Sequence, residues 1–347
     1  MTEILTPEII VKNTPYFNYA FCLNRYNFLF EVKVVNLDDE LENVKVEITS
    51  DQRIFEKYST FIDKIAGGSF TLTHFDFQYE LQLLKNLTEK DIDRIRITVY
   101  ANNVEVITKQ LRLEILPIDY FGGLQFLPQL LVSYVTPNNT KIYEIKSEAI
   151  KILERNGFTV AFEGYQEQNK ERVVQMVSAL YKAIQNKELI YSAMPPSFEN
   201  TGQRIRLVDQ VLDAQFGNCI DITLLFAACL EAIDLNPIIV ITKGHAFVGV
   251  WLEDKRFDSM VNFDQAAISK RIAHGIREIA IIETTSLCKG SNIAFSKAIA
   301  EAEVQLLNES DFVLSIDIKN SRSNGVLPLP LAQHGIELKK NLLAAND

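Results

Sequence analysis

The sequence is constrained most by a change of hydrophobic period near residue 118. From about residue 16 to 116, short runs rich in Val, Ile, Phe, Tyr and Thr are broken by Asn, Asp or Gly. Val44-Lys45-Val46-Glu47-Ile48 and Ile95-Arg96-Ile97-Thr98-Val99 alternate apolar with polar, as strands with one face on a core do. Beyond Pro117 the period becomes helical. Residues 142–155 (IYEIKSEAIKILER) carry apolar positions at helical spacing and stop at Asn156-Gly157. Residues 166–189 carry a second such pattern, with Val173, Val174, Val177, Leu180, Tyr181 and Ile184 on one face. The expected class is α+β, with one unit spanning 1–118 and another 119–347, the latter with a C-terminal extension.

In the first unit, strands are expected at 28–35, 44–48, 69–72, 95–100 and 104–115, with turns at 36–40 and 101–103. About seven strands in roughly 100 residues is the pattern of an Ig-like β-sandwich, here without the paired cysteines and core Trp of an antibody domain. His74 and Cys22 read as structural or surface residues. In the second unit, residues 195–203 (PPSFENTGQ) read as a loop.

Composition matters here for what it excludes. With 47% hydrophobic and 23% charged positions among 347 residues, the chain can bury two cores and is not of the disordered class. The net charge of -10 is spread evenly, with 18 acidic and 13 basic residues up to position 118 and 27 and 22 after it. Such a chain offers phosphate backbones no global attraction, so direct nucleic-acid binding is not expected. No apolar run approaches the roughly 20 residues of a membrane span, and Met1-Thr-Glu-Ile-Leu-Thr-Pro is not a secretory leader, so we expect a cytoplasmic protein. Cys22, Cys219, Cys229 and Cys288 are too few and scattered for a disulfide framework. The four histidines form no metal-ligand spacing, so neither a metal nor an organic cofactor is expected.

One constellation carries chemistry. Cys219 opens an all-round apolar stretch, CIDITLLFAACLEAI, that reads as a buried helix preceded by Gly217-Asn218. Residues 238–242 (IIVIT) and 245–252 (HAFVGVWL) read as strands, and 278–285 (EIAIIETT) as a third after a helical connection. A thiol at a helix N-terminus is favoured as thiolate by the unpaired N–H groups and the dipole. His245, at the start of a strand, can pair with it, and a carboxylate on the next strand can hold the imidazole. Asp254 lies nine residues beyond His245, roughly 30 Å along an extended strand, which excludes it. An antiparallel return strand comes level with His245 at its C-terminal end, where Glu283 stands. A tight hairpin at 253–254 would instead bring Asn262 or Asp264 level with His245; Glu283 is preferred because 279–282 is the cleaner strand. Cys229, Cys288, Phe247 and Trp251 read as core. The oxyanion donors open to choice are the Cys219 N–H and the side chains of Gln203, Gln166 and Gln215. Asp221, Arg204 and Arg206 are each ambiguous between anchoring and substrate contact.

Gly-Asn-Cys-Ile-Asp at 217–221, Gly-His-Ala-Phe at 244–247 and Glu-Thr-Thr at 283–285 resemble the three motifs of the transglutaminase-like superfamily of papain-type cysteine enzymes. The resemblance implies a central helix packed on an antiparallel sheet, with Cys219 as nucleophile, His245 as general base and acid, and Glu283 as the orienting carboxylate. Glu stands where the family usually has Asp, and the 38-residue interval from His245 to Glu283 is long for it. A broader similarity runs through Ser133 to Asn138, Gly164-Tyr165-Gln166, 195–198, 202–206 and the Cys/His core. It is to the N-terminal transglutaminase-like module of large bacterial helicase and nuclease proteins, many linked to phage defence. There, segments like 317–322 and 325–330 lead into the helicase part. The implied activity is a peptidase or amidase acting on a protein or peptide, in anti-phage defence and beside a helicase or nuclease partner or downstream domain. The alternative is a catalytically silent adaptor.

Overall fold

The computed structural model describes residues 7–37, 40–193 and 202–330. It is a mixed α+β fold. Residues up to Ile115 contribute a three-stranded sheet (Glu8–Asn13, Leu29–Leu37, Gly68–Leu72) and a five-stranded one. The second sheet runs Tyr16–Phe17, Val104–Ile115, Asp91–Ala101, Leu41–Ser50 and Tyr58–Ile65 in spatial order. The alternating positions explain why both bury one core: Val44, Val46, Ile48, Ile95, Ile97 and Val99 are at 0% exposure, while the intervening Lys45, Glu47 and Arg96 are not. Val32 and Val34 of the first sheet join the same cluster. Strands 8–13 and 58–65 had no clear period-two signal. Part of the expected 36–40 turn, and the expected loop at 195–203 up to residue 201, lie outside the described residues.

The helices of the second half start where the local chemistry says they should. Asn139 and Asn169 accept backbone N–H bonds at the starts of Thr140–Arg155 and Lys170–Gln185. The second helix therefore begins at its cap, four residues later than the apolar pattern suggested, and ends at Gln185 rather than Leu189. Asn156 and Gly157, the latter at φ 72°, end the first.

Five antiparallel strands form the sheet of this half, in the order Val261–Asn262, Phe312–Asp317, Pro237–Thr242, His245–Trp251, Ile279–Ile282. Apart from Thr242 and His245 at the hairpin end, its strands Pro237–Thr242 and His245–Trp251 carry no polar side chain, because both faces are covered. Ile239, Ile241, Ala246, Val248 and Ile282 pack into the core that contains the Cys219–Glu231 helix. Ile238, Val240, Phe247, Trp251, Ile279 and Ile281 face a second layer with Ala302 and Leu306 of the Phe295–Leu306 helix. Trp251 and Phe247 are core residues, at 1% and 0% exposure, and the Trp251 indole donates to the buried carboxylate of Asp317 at 3.0 Å. Among the described residues no helix is long and apolar enough to cross a membrane.

Candidate active site

Cys219 is the first residue of a 13-residue helix whose every position except Glu231 is buried. Such a helix is held by its surroundings, so its first turn is fixed. The start is sealed by a capping box: the Asn218 side chain accepts the Asp221 N–H at 3.0 Å, and Asp221 accepts the Asn218 N–H at 3.1 Å. Asp221 also accepts the Arg206 backbone N–H and its Nη1, each at 2.9 Å. Burial pushes the Asp221 pKa up, against the pull of those donors. Its oxygens are thus taken up in tying residues 203–206 to the helix start, an anchoring role. Arg206 also lies over the Phe216 ring, and Arg204 reaches Asp119 and the Thr88 carbonyl, so both arginines are anchors too.

His245 opens its strand after the Lys243-Gly244 turn, where Gly244 takes φ 71°. Its Nε2 lies 2.8 Å from Oε2 of Glu283. The imidazole also hydrogen-bonds Cys219, and with Nε2 engaged by the carboxylate, Nδ1 is the nitrogen left for the sulfur. Burial alone would lower the His245 pKa, but bonds to Cys219 and Glu283, and their charges, outweigh it and raise it to about 10. Burial would raise the Glu283 pKa, but the bond and charge of His245 and the donors of Thr285 bring it below the usual carboxylate value. The structure therefore brings Cys219, His245 and Glu283 together.

The way Glu283 gets there differs from the expected continuous strand. The strand stops at Ile282, paired with Val248, and Glu283 is the first residue past it. Asn262 and Asp264 are displaced from the competition: Val261–Asn262 pairs with Phe312–Asp317 at the opposite edge of the sheet, and Asp264 caps the Ala266 N–H.

Four residues beside the triad were not signalled by spacing. Thr223, one turn after Cys219, bonds the Ala246 carbonyl at 3.1 Å and the Thr284 hydroxyl at 2.9 Å, joining the three elements that carry the triad. Thr285 gives Oε1 of Glu283 its backbone N–H at 2.8 Å and its hydroxyl at 2.6 Å. Gln305 donates to Oε2 at 2.7 Å. Tyr191, whose strand runs parallel to 216–217, hydrogen-bonds Cys219. Burial, then the charges of Cys219, Glu283 and Cys288, push its phenol up to about 12. Only tertiary contact assembles these residues, although Thr284-Thr285 stood inside the third motif.

The oxyanion candidates separate. Gln166 is exposed and lies beside Tyr165, whose hydroxyl bonds the Trp251 carbonyl, at the opposite end of the His245 strand. Gln215 is exposed and donates to the Lys187 carbonyl at 3.4 Å. Gln203 is buried, and the Cys219 N–H lies in a helix first turn, where such groups lack an intrahelical acceptor. The other thiols are quiet: burial pushes Cys22, Cys229 and Cys288 up, Cys288 to about 11 with help from Glu283. His74 is exposed. Among the described residues no group of three or more His, Cys, Asp or Glu could hold a metal ion.

No protein-family model and no curated protein matches the chain. Among solved structures it is similar to one described as a "putative protease" from Parabacteroides distasonis, at 11% identity and a TM-score of 0.23. That match covers 61% of this chain and 41% of the other, too slight a likeness to identify a fold.

Proposed function

We propose that this chain is a cysteine-nucleophile acyl-transfer enzyme, a peptidase or amidase, in which Cys219, His245 and Glu283 form the triad of a transglutaminase-like domain behind an Ig-like β-sandwich. The observation that carries the reading is the 2.8 Å contact of His245 Nε2 with a 4% exposed Glu283, with the thiol of a helix-opening Cys219 on the imidazole's other side. In the reaction, the Cys219 sulfur attacks the carbonyl carbon of an amide while the imidazole takes the thiol proton. The tetrahedral oxyanion is met by the Cys219 N–H in the first turn of its helix. The C–N bond then breaks as His245 protonates the leaving amine, giving a thioester. His245 next takes a proton from water, which attacks the thioester and releases the acid and the free thiol. Glu283 stays ionised throughout and holds the imidazole in the tautomer that faces the sulfur. No step calls for a metal or organic cofactor. A role in anti-phage defence beside a helicase or nuclease rests on the sequence resemblance alone.

The second reading, a silent adaptor, draws on the 6% exposure of Cys219 and the Tyr191 hydroxyl against its sulfur. Iodoacetamide decides between them. The enzyme reading expects Cys219 to label near neutral pH at least tenfold faster than Cys22, Cys229 and Cys288, and His245→Ala to slow it. Equal labelling of all four cysteines would overturn it.

A further inference from the structure

The Glu283 carboxylate is 4% exposed and has a full set of donors: Thr285 supplies two bonds to Oε1, and His245 and Gln305 one each to Oε2. An ionised carboxylate has about four lone-pair sites and can only accept, so the Gln305 amide must turn its nitrogen, and not its oxygen, toward it. The backbone explains the pairing. Glu283 continues the alternation of Ile279 and Ile281, whose side chains face the layer containing Ala302 and Leu306. The helix Phe295–Leu306 places Gln305 in that layer, and the Glu283 N–H is tied to the Ala298 carbonyl of the same helix at 3.1 Å. Gln305 and Glu283 then line a cavity of about 660 Å³ that opens beside His245.

We propose that Gln305 is a positioning residue of the triad, holding the Glu283 carboxylate in its ionised form and in the rotamer that meets His245. The proposal rests on the Cys-His-Glu reading above. Thr285 grips one oxygen from Glu283's own segment, and without Gln305 only the bond to His245 itself would keep the carboxylate from pivoting about that oxygen. Gln305, reaching Oε2 from another element, stops the pivot. It also shares with His245 the charge on that oxygen, so that a carboxylate with little water around it keeps its proton off. The other titratable and charged groups around Glu283 are His245 on the neighbouring strand, Lys297 and Glu301 on the helix, Tyr181 and Tyr191 from the elements packed behind, and Cys288. Lys297 is the one cation among them besides His245, and it is 67% exposed, so it cannot replace the lost donor. Removing Gln305 therefore leaves burial opposed by fewer donors, and protonation of Glu283 moves to higher pH.

The test is the pH profile of iodoacetamide labelling at Cys219, from about pH 4 to pH 10, on the full chain. Gln305→Leu is expected to move the acid limb up by about one pH unit. Gln305→Glu, of the same shape, sets a second carboxylate against the first and is expected to move the limb further in the same direction; it serves as the test if the leucine variant fails to fold. His245→Ala, run beside them, is expected to abolish the fast labelling. If Gln305→Leu and Gln305→Glu both give the wild-type acid limb while His245→Ala abolishes fast labelling, the Gln305 proposal falls and the triad stands. If His245→Ala labels as fast as wild type, the triad reading itself falls.

Discussion

Thr223 and Thr284 are both at 0% exposure, and their hydroxyls form a directional chain. The Ala246 carbonyl can only accept, so the single proton of the Thr223 hydroxyl goes to it, and Thr284 must then donate to Thr223. Replacing Thr223 by Val keeps the shape but leaves a buried carbonyl without its donor and a buried O–H without its acceptor. With a net loss of about 1 kcal/mol per bond and a further desolvation cost for the orphaned groups, Thr223→Val should destabilise by about 2 to 3 kcal/mol. Thr284→Val removes only the donor and leaves Thr223 bonded to Ala246, so it should cost about 1 kcal/mol. The double variant also removes the orphaned Thr284 hydroxyl, so it should cost less than the two singles added. Urea unfolding gives all four corners of the cycle, and the loss in Thr223→Val should appear as a midpoint shift of about 1 M at an m-value of 2 to 3 kcal/mol/M. A Thr284→Val variant as damaging as Thr223→Val, or singles that simply add, would refute the assigned direction of the chain. Ala246 and Thr284 adjoin His245 and Glu283, so Thr223→Val should also slow Cys219 labelling more than Thr284→Val does.

Asp221→Ala strips the helix start of its capping box and leaves Arg206 facing a buried gap; a loss of about 3 kcal/mol is expected, read by thermal or urea unfolding, and a loss below about 1 kcal/mol would contradict the anchoring role. The His245–Glu283 pair also sets a pH signature. The raised His245 pKa gives stability that is full below the ordinary 6.5 and is lost as pH rises through about 10, and the lowered Glu283 pKa gives stability that is full above the ordinary 4.5 and is lost as pH falls through its depressed value. The stability advantage of wild type over Glu283→Gln should therefore be greatest between pH 4.5 and 6.5 and shrink toward pH 10; an advantage that grows over that upper range would contradict the ion pair.

Local pattern made much of the scaffold legible in the sequence. Alternation marked strands at 44–48 and 95–100, inside the observed 41–50 and 91–101, while the asparagine caps of the two long helices were not read, so the second was expected from 166 rather than 170. The largely apolar runs at 219–230, interrupted by Asp221 and Thr223, and at 237–242, ending in Thr242, reported elements covered on every side. Cys219 and His245 were legible because each stands at the start of such a run, and the choice of Glu283 over Asp254 followed from the rise of a strand. Strands 8–13 and 58–65 were not legible, because a partly exposed edge strand carries little alternation.

The sequence by itself marked which residue types could do chemistry and put Cys219 at a helix start and His245 at a strand start, since both follow from spacing within one segment; Glu283, expected inside a strand, stands just past one. Only the tertiary structure decided what surrounds them. Gln305 is 22 residues from Glu283, Thr223 is 61 from Thr284 and Tyr191 is 28 from Cys219, and nothing in local periodicity brings such pairs together. The same long-range packing moved Asn262 to the far edge of the sheet, Gln166 to the far end of the His245 strand, and Asp221 into a buried ion pair with Arg206. Hydrogen bonds across such separations form only after the chain has closed the intervening loops, so the segment-by-segment pattern that fixes each element does not encode them.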